Sequence, residues 1–77
     1  MFVKEIAPRI TVDEKVRFGK PVIKGTRVGV VTVLGHLAAG DSAESIAQDY
    51  GLTKEDVLAC IGYALDAVEH EHIRAVP

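Results

Sequence analysis

The spacing Ile46-Ala47-x-x-x-Gly51-Leu52-Thr53-x-x-x-Val57 constrains this chain more than any other feature. It reads as two helices joined by a short turn. Ala47 is small where a following helix would cross close above it. Gly51 can take the left-handed conformation that a tight interhelical turn needs. Leu52 plugs the gap beneath that turn, and Ile46 and Val57 face the inside of the angle. Thr53, with Asp56 three residues on, predicts a capping box at the start of the second helix. Two helices joined steeply through a glycine-containing turn form a helix-turn-helix. Upstream, Asp41 and Ser42 offer N-caps with Glu44 following, so the first of the pair is expected to run to about residue 50. Downstream, apolar residues at 57, 61, 65 and 68 predict a helix to about residue 70.

The segment before this pair is less decided. Val28, Val30, Val31 and Val33 favour strand by propensity. Val30, Val33, Leu34, Leu37 and Ala38 nevertheless lie on one helical face, and Gly40 suits a helix end, which predicts a helix over 28–39. Ile10-Thr11-Val12 reads as a short strand, Pro8 favours an edge position before it, and Val22-Ile23 forms an apolar plug between Gly19 and Gly25. The expected fold is therefore mainly α: short N-terminal β-strands followed by a three-helix bundle containing the helix-turn-helix. One domain over 1–77 is expected, with 1–27 a basic β/loop arm and 28–77 the helical unit. A chain of 77 residues makes a marginal core, so a homodimer is the default expectation.

Charge is distributed unevenly. Residues 1–40 carry seven basic and three acidic side chains, a net +4, whereas residues 41–77 carry two basic and eight acidic, a net −6. Such asymmetry points to an anionic partner for one half or to attraction between halves. Arg17, Lys20, Lys24 and Arg27 fall within eleven residues around two glycines. With Thr26 they form a candidate anion or DNA site, although the order of a P-loop is absent. Touching nucleic-acid phosphates, docking on the acidic half of a partner subunit and forming a structural turn with solvated charges are all compatible with that segment. Holding a small anion is a further expectation for it. Thr53 and Lys54 are the candidate DNA contacts at the start of the last helix, where a recognition helix meets base edges. Glu55 and Asp56 oppose them electrostatically and suit a helix N-terminus instead.

Other constellations carry no chemistry. His70 and His72 are two residues apart and leave a helix on different sides, so no metal site is expected. Cys60 lies between apolar neighbours and reads as a small buried residue. His36 reads as packing or surface, and Tyr50 and Tyr63 as core-edge aromatics. No acid/base pair is recognisable, so neither an enzyme nor a cofactor is expected. A single cysteine fits a reducing compartment, no run is long enough to span a membrane, and the first ten residues lack signal-peptide features. A cytoplasmic protein is expected.

The run Phe18-Gly-Lys-Pro-Val-Ile-Lys-Gly-Thr-Arg-Val28, followed by Leu37-x-x-Gly40, Ile46 with Tyr50, and Leu52-Thr53-x-x-Asp56-Val57, resembles domain-of-unknown-function family 433 over about residues 8–67. The resemblance implies an antitoxin-like protein with a homeodomain-like helix-turn-helix, often encoded beside a PIN-like toxin nuclease. It implies a protein that binds that toxin and represses its own operator. A protein-interaction or dimerisation module that never touches DNA is the competing expectation.

Overall fold

Ile10, Val22 and Ile23 are between 0% and 2% exposed, and the reason is the sheet in which they lie. The computed structural model describes residues 3–71. Strand β1 (Val3–Ala7) turns through Pro8 and Arg9 into β2 (Ile10–Asp13), and β3 (Val22–Ile23) pairs on the other side of β2. All pairings are antiparallel, with Glu5 opposite Thr11 and Ile10 opposite Ile23. The β1–β2 register shifts between Glu5 and Ala7, just before the turn.

Three helices follow: α1 (Val30–Ala38), α2 (Ala43–Tyr50) and α3 (Lys54–Glu69). The β-branched start of α1 is helical because Val30 and Val33 are needed on the core side, where they are 3% and 0% exposed. Burial of the helical face thus overrides strand propensity. Ser42 caps α2, its hydroxyl accepting from the Ser45 amide at 3.1 Å. Asp41 faces His36 instead, Oδ2 lying 2.7 Å from Nδ1, while the other ring nitrogen lies 2.9 Å from the Tyr50 hydroxyl. This chain of polar groups ties the end of α1 to the end of α2. Gly51 closes α2 at φ 68°, and its amide donates to the Ala47 carbonyl. Thr53 and Asp56 form the reciprocal capping box that starts α3.

The core joins both halves: Ile10 and Ile23 from the sheet pack with Val30, Val33, Ile46, Val57 and Cys60 from the helices. This corrects the expectation of a mainly α fold built as a three-helix bundle. The structure is a three-stranded antiparallel sheet followed by three helices, and the sheet forms one wall of the core. Each buried aliphatic side chain contributes about 1.5–3 kcal/mol, so removing Ile10 and Ile23 would remove a large share of the driving force.

Helix α3 departs from expectation in a second way. The apolar residues at 57, 61, 65 and 68 do not form one buried face. Val57 and Cys60 are buried, whereas Leu58, Ile61, Leu65 and Val68 stand 50%, 41%, 61% and 62% exposed. The helix has one apolar face inside and another outside. Among the described residues, no helix is long and apolar enough to cross a membrane.

Candidate functional site

Two surfaces carry unusual chemistry, and the first is the turn between β2 and β3. Asp13 starts it: its carbonyl accepts from Val16 N at 2.8 Å and its carboxylate from Lys15 N at 2.9 Å. Three consecutive residues are then left-handed, Arg17 at φ 50°, Phe18 at φ 57° and Gly19 at φ 81°. For an L side chain that conformation costs about 1–2 kcal/mol. It is held by Gly19 N donating to Val16 O and Lys20 N to Arg17 O, each at 3.1 Å. Arg17 is fixed further along its length. Its guanidinium lies across the backbone of Gly29, where a Cβ would stand 2.8 Å from Nε. Phe18 projects from the turn 95% exposed. Arg17, Phe18 and Lys20 line a shallow hollow of about 260 Å³.

Of the remaining residues singled out around this turn, Lys24 and Thr26 have partners of their own. Lys24 Nζ meets Glu5 Oε1 on β1 at 3.3 Å. Glu5 is held below the usual carboxylate range by the Arg9 amide first and Lys24 second. Thr26 shapes its own loop: its hydroxyl donates to Ile23 O at 2.8 Å and accepts from Val28 N at 3.0 Å. Arg27 is exposed at the rim of an open cavity of about 490 Å³, lined also by Val3, Thr11, Asp13 and Val22. Among the described residues, Arg17, Lys20 and Arg27 face no carboxylate within ion-pairing distance.

The second surface is α3. At its start, the Thr53 hydroxyl accepts from Asp56 N at 3.1 Å, and Lys54 Nζ meets Glu44 Oε2 of α2 at 3.6 Å. Both side chains therefore brace the joint between α2 and α3. Asp56 turns inward: Oδ2 accepts from Thr53 N and Oδ1 from Arg9 Nη1, both at 3.0 Å. Partial burial opposes its ionisation, but the hydrogen bonds from Thr53 and Arg9 outweigh this and hold its pKa below the ordinary 3.8. One turn on, burial, with Asp56 nearby, pushes the Cys60 thiol up to about 11. Along the outer side, Leu58, Ile61, Leu65 and Val68 form an apolar stripe with Gly62 and Ala64 at its edges. Beside it, Ala7, Pro8, Ala59, Gly62, Tyr63 and Asp66 line a groove of about 290 Å³. His70 bonds back to Asp66 O, and His72 lies outside the described residues.

Sequence reasoning missed Phe18 and the outer stripe. The stripe was legible as a second apolar periodicity; Phe18 had no signal beyond its basic neighbours.

A family model matches residues 10–64. The chain belongs to the family described as "Protein of unknown function (DUF433)". The match takes in the basic turn and the first half of the α3 stripe, Leu58 and Ile61. This DUF433 chain is 37% identical over 59 residues to a Mycobacterium tuberculosis protein named "Putative antitoxin VapB45", covering 77% of this chain and 23% of that one. It is also similar to the crystal structure of Rv2018 from Mycobacterium tuberculosis, with a TM-score of 0.62 and 35% identity, covering 68% of this chain and 24% of that one. The DUF433 chain thus spans about a quarter of the length of each of these relatives.

Proposed function

We propose that this chain is an antitoxin-like regulator: a homodimer that holds a PIN-like toxin nuclease as partner and binds its own operator DNA. The observation that carries the reading is the uncovered stripe on α3. Leu58, Ile61, Leu65 and Val68 repeat with the three-then-four spacing of a helix-pairing seam. A contiguous exposed apolar face marks a surface that another protein covers. Gly62 and Ala64 leave room for a second helix to approach closely. A non-catalytic binding role agrees with the name of the VapB45 relative, and an antitoxin acts by binding.

The DNA half of the reading rests on Arg17, Lys20 and Arg27, which offer phosphate contacts without competing carboxylates. Lys24, Thr26, Thr53 and Lys54 support those contacts by holding the loop and the α2–α3 joint, the helix-turn-helix of this reading. The competing reading, a protein-interaction module that never binds DNA, is favoured by one observation. The start of α3 presents exposed Glu55 and a Lys54 already facing Glu44.

Three measurements test the proposal. Sedimentation should give a dimer that Leu65→Lys converts to a helical monomer; a monomeric wild-type protein sinks the dimer. A PIN-like nuclease, sought beside the gene, should lose activity on adding the protein, and an unaffected nuclease sinks the antitoxin role. Duplex from upstream of the gene should be retarded with a steep salt dependence. No retardation at low salt leaves the competing reading.

A further inference from the structure

We infer that the Arg17–Lys20 turn is a DNA wedge: Phe18 enters between stacked base pairs of a duplex while Arg17 and Lys20 hold the phosphates on either side. The inference rests on the DNA-binding half of the proposed function and names the residue and the mode of contact.

Three features of the turn converge on this. The first is exposure. Phe18 is 95% exposed, more than any other large apolar side chain among the described residues. It packs against nothing, so core stability does not account for it. The second is the backbone. Three left-handed residues in succession reverse the chain and leave Phe18 at the apex. Strained backbone of this kind is retained where the surrounding structure over-determines it, and it clusters at ligand clamps. Here the turn's own hydrogen bonds and the Arg17 side chain lying over Gly29 supply that constraint. The third is charge. Cations precede and follow Phe18 at Arg17 and Lys20. Glu14 lies beside the turn, its Cα 3.7 Å from where a Gly19 side chain would begin, and it pairs with neither Arg17 nor Lys20.

That combination selects among ligands. An aromatic anchor for a protein pocket sits where arginine is tolerated but lysine is depleted, so Lys20 is the neighbour that argues against one. Phe18 sits between an arginine and a lysine. Proteins that bind single strands stack successive bases on several aromatics. Here the Tyr50 ring packs edge-on against His36, its centroid 5.5 Å away, and Tyr63 is packed against the core. One aromatic at the apex of a cationic turn fits a single opened base step. Apolar wedges flanked by basic side chains unstack one step in this way and kink the duplex.

The test uses the full chain and duplex fragments tiling the region upstream of its gene, labelled at both ends for energy transfer and carrying 2-aminopurine at successive steps. Wild-type protein should bring the ends together and brighten 2-aminopurine at one step. Phe18→Ala should weaken binding about tenfold and abolish both signals. Its salt dependence should be unchanged, because the phosphate contacts remain. Phe18→Trp should restore bending. Because Phe18 touches no core residue, circular dichroism of these variants should match wild type. Bending by Phe18→Ala equal to wild type overturns the wedge while leaving DNA binding standing. Wild-type binding without bending does the same. Failure of the wild-type protein to bind any fragment overturns both readings. Loss of nuclease binding by Phe18→Ala, with DNA binding and bending intact, makes Phe18 a protein anchor and overturns the wedge.

Discussion

Arg9 Nη1 donates to Asp56 Oδ1 at 3.0 Å, joining the β1–β2 turn to the first turn of α3 across 47 residues of sequence. The partners are unequal. Asp56 is only 16% exposed, whereas Arg9 is 51% exposed. Arg9 itself sits at φ 66°, a left-handed position in the two-residue turn. Asp56 therefore serves two ends: it caps α3 through Thr53 and anchors the sheet to the helices through Arg9.

The first prediction concerns acid. The pKa of Asp56 is depressed in the folded chain, so its contribution is complete above 3.8 and is lost as pH falls through the lower, folded value. Thermal melts should therefore show stability declining below about pH 4, with part of the decline absent in Asp56→Asn. At neutral pH Asp56→Ala should cost about 1 kcal/mol through the lost cap, lowering the melting temperature by about 4–8 °C. Identical acid profiles for wild type and Asp56→Asn would refute the assignment.

Capping was legible in advance because it is local. Thr53, Asp56 and Gly51 lie within six residues, and their chemistry is set by side-chain type. What pairs with Asp56 was not legible, since Arg9 is distant in sequence and any of several cations could have reached it. The sheet's share of the core was hidden for the same reason. Val22-Ile23 is two residues long and reads as a plug until its pairing with Ile10 and Thr11 is seen. In α3, periodicity revealed apolar residues but could not say which of two overlapping faces the core would take. The left-handed Arg17-Phe18 pair was invisible because neither residue type favours that conformation.

The second prediction concerns Cys60, which is fully buried and whose thiol is pushed up to about 11 by burial and then by Asp56. It should resist a thiol reagent at pH 8 in the native state and react at once in denaturant. The neutral thiol is favoured by folding, so stability is fully present below the ordinary 9.0 and falls as pH rises from 9.0 through about 11. Cys60→Ala should lack that alkaline decline. Rapid native labelling would show that the α3 core face opens readily.

A third prediction separates shape from contact in the basic loop. The Thr26 hydroxyl is already used twice within the loop, toward Ile23 O and Val28 N. Thr26→Val should destabilise by about 1 kcal/mol, leaving the Val28 amide unpaired while Ile23 O keeps its bond from Thr26 N. Thr26→Ser keeps the hydroxyl and should lose less. If Thr26→Val melts like wild type yet loses DNA binding, Thr26 contacts the ligand directly.

The last prediction uses Gly29, which caps α1 with an ordinary φ of −72° and is glycine because of what crosses it. A Cβ there would stand 2.8 Å from Arg17 Nε and 3.1 Å from Cζ. These atoms belong to the far end of a flexible, exposed side chain, so Gly29→Ala should move Arg17 rather than unfold the protein. Stability should change by about 0.5 kcal/mol or less. DNA affinity should fall, and the salt dependence should lose about one phosphate contact. In an Arg17→Ala background the same substitution should have no further effect on binding, since nothing remains to displace. Equal losses in both backgrounds would mean that Gly29 matters through α1 and not through Arg17. That would detach the guanidinium from any role in bracing the turn.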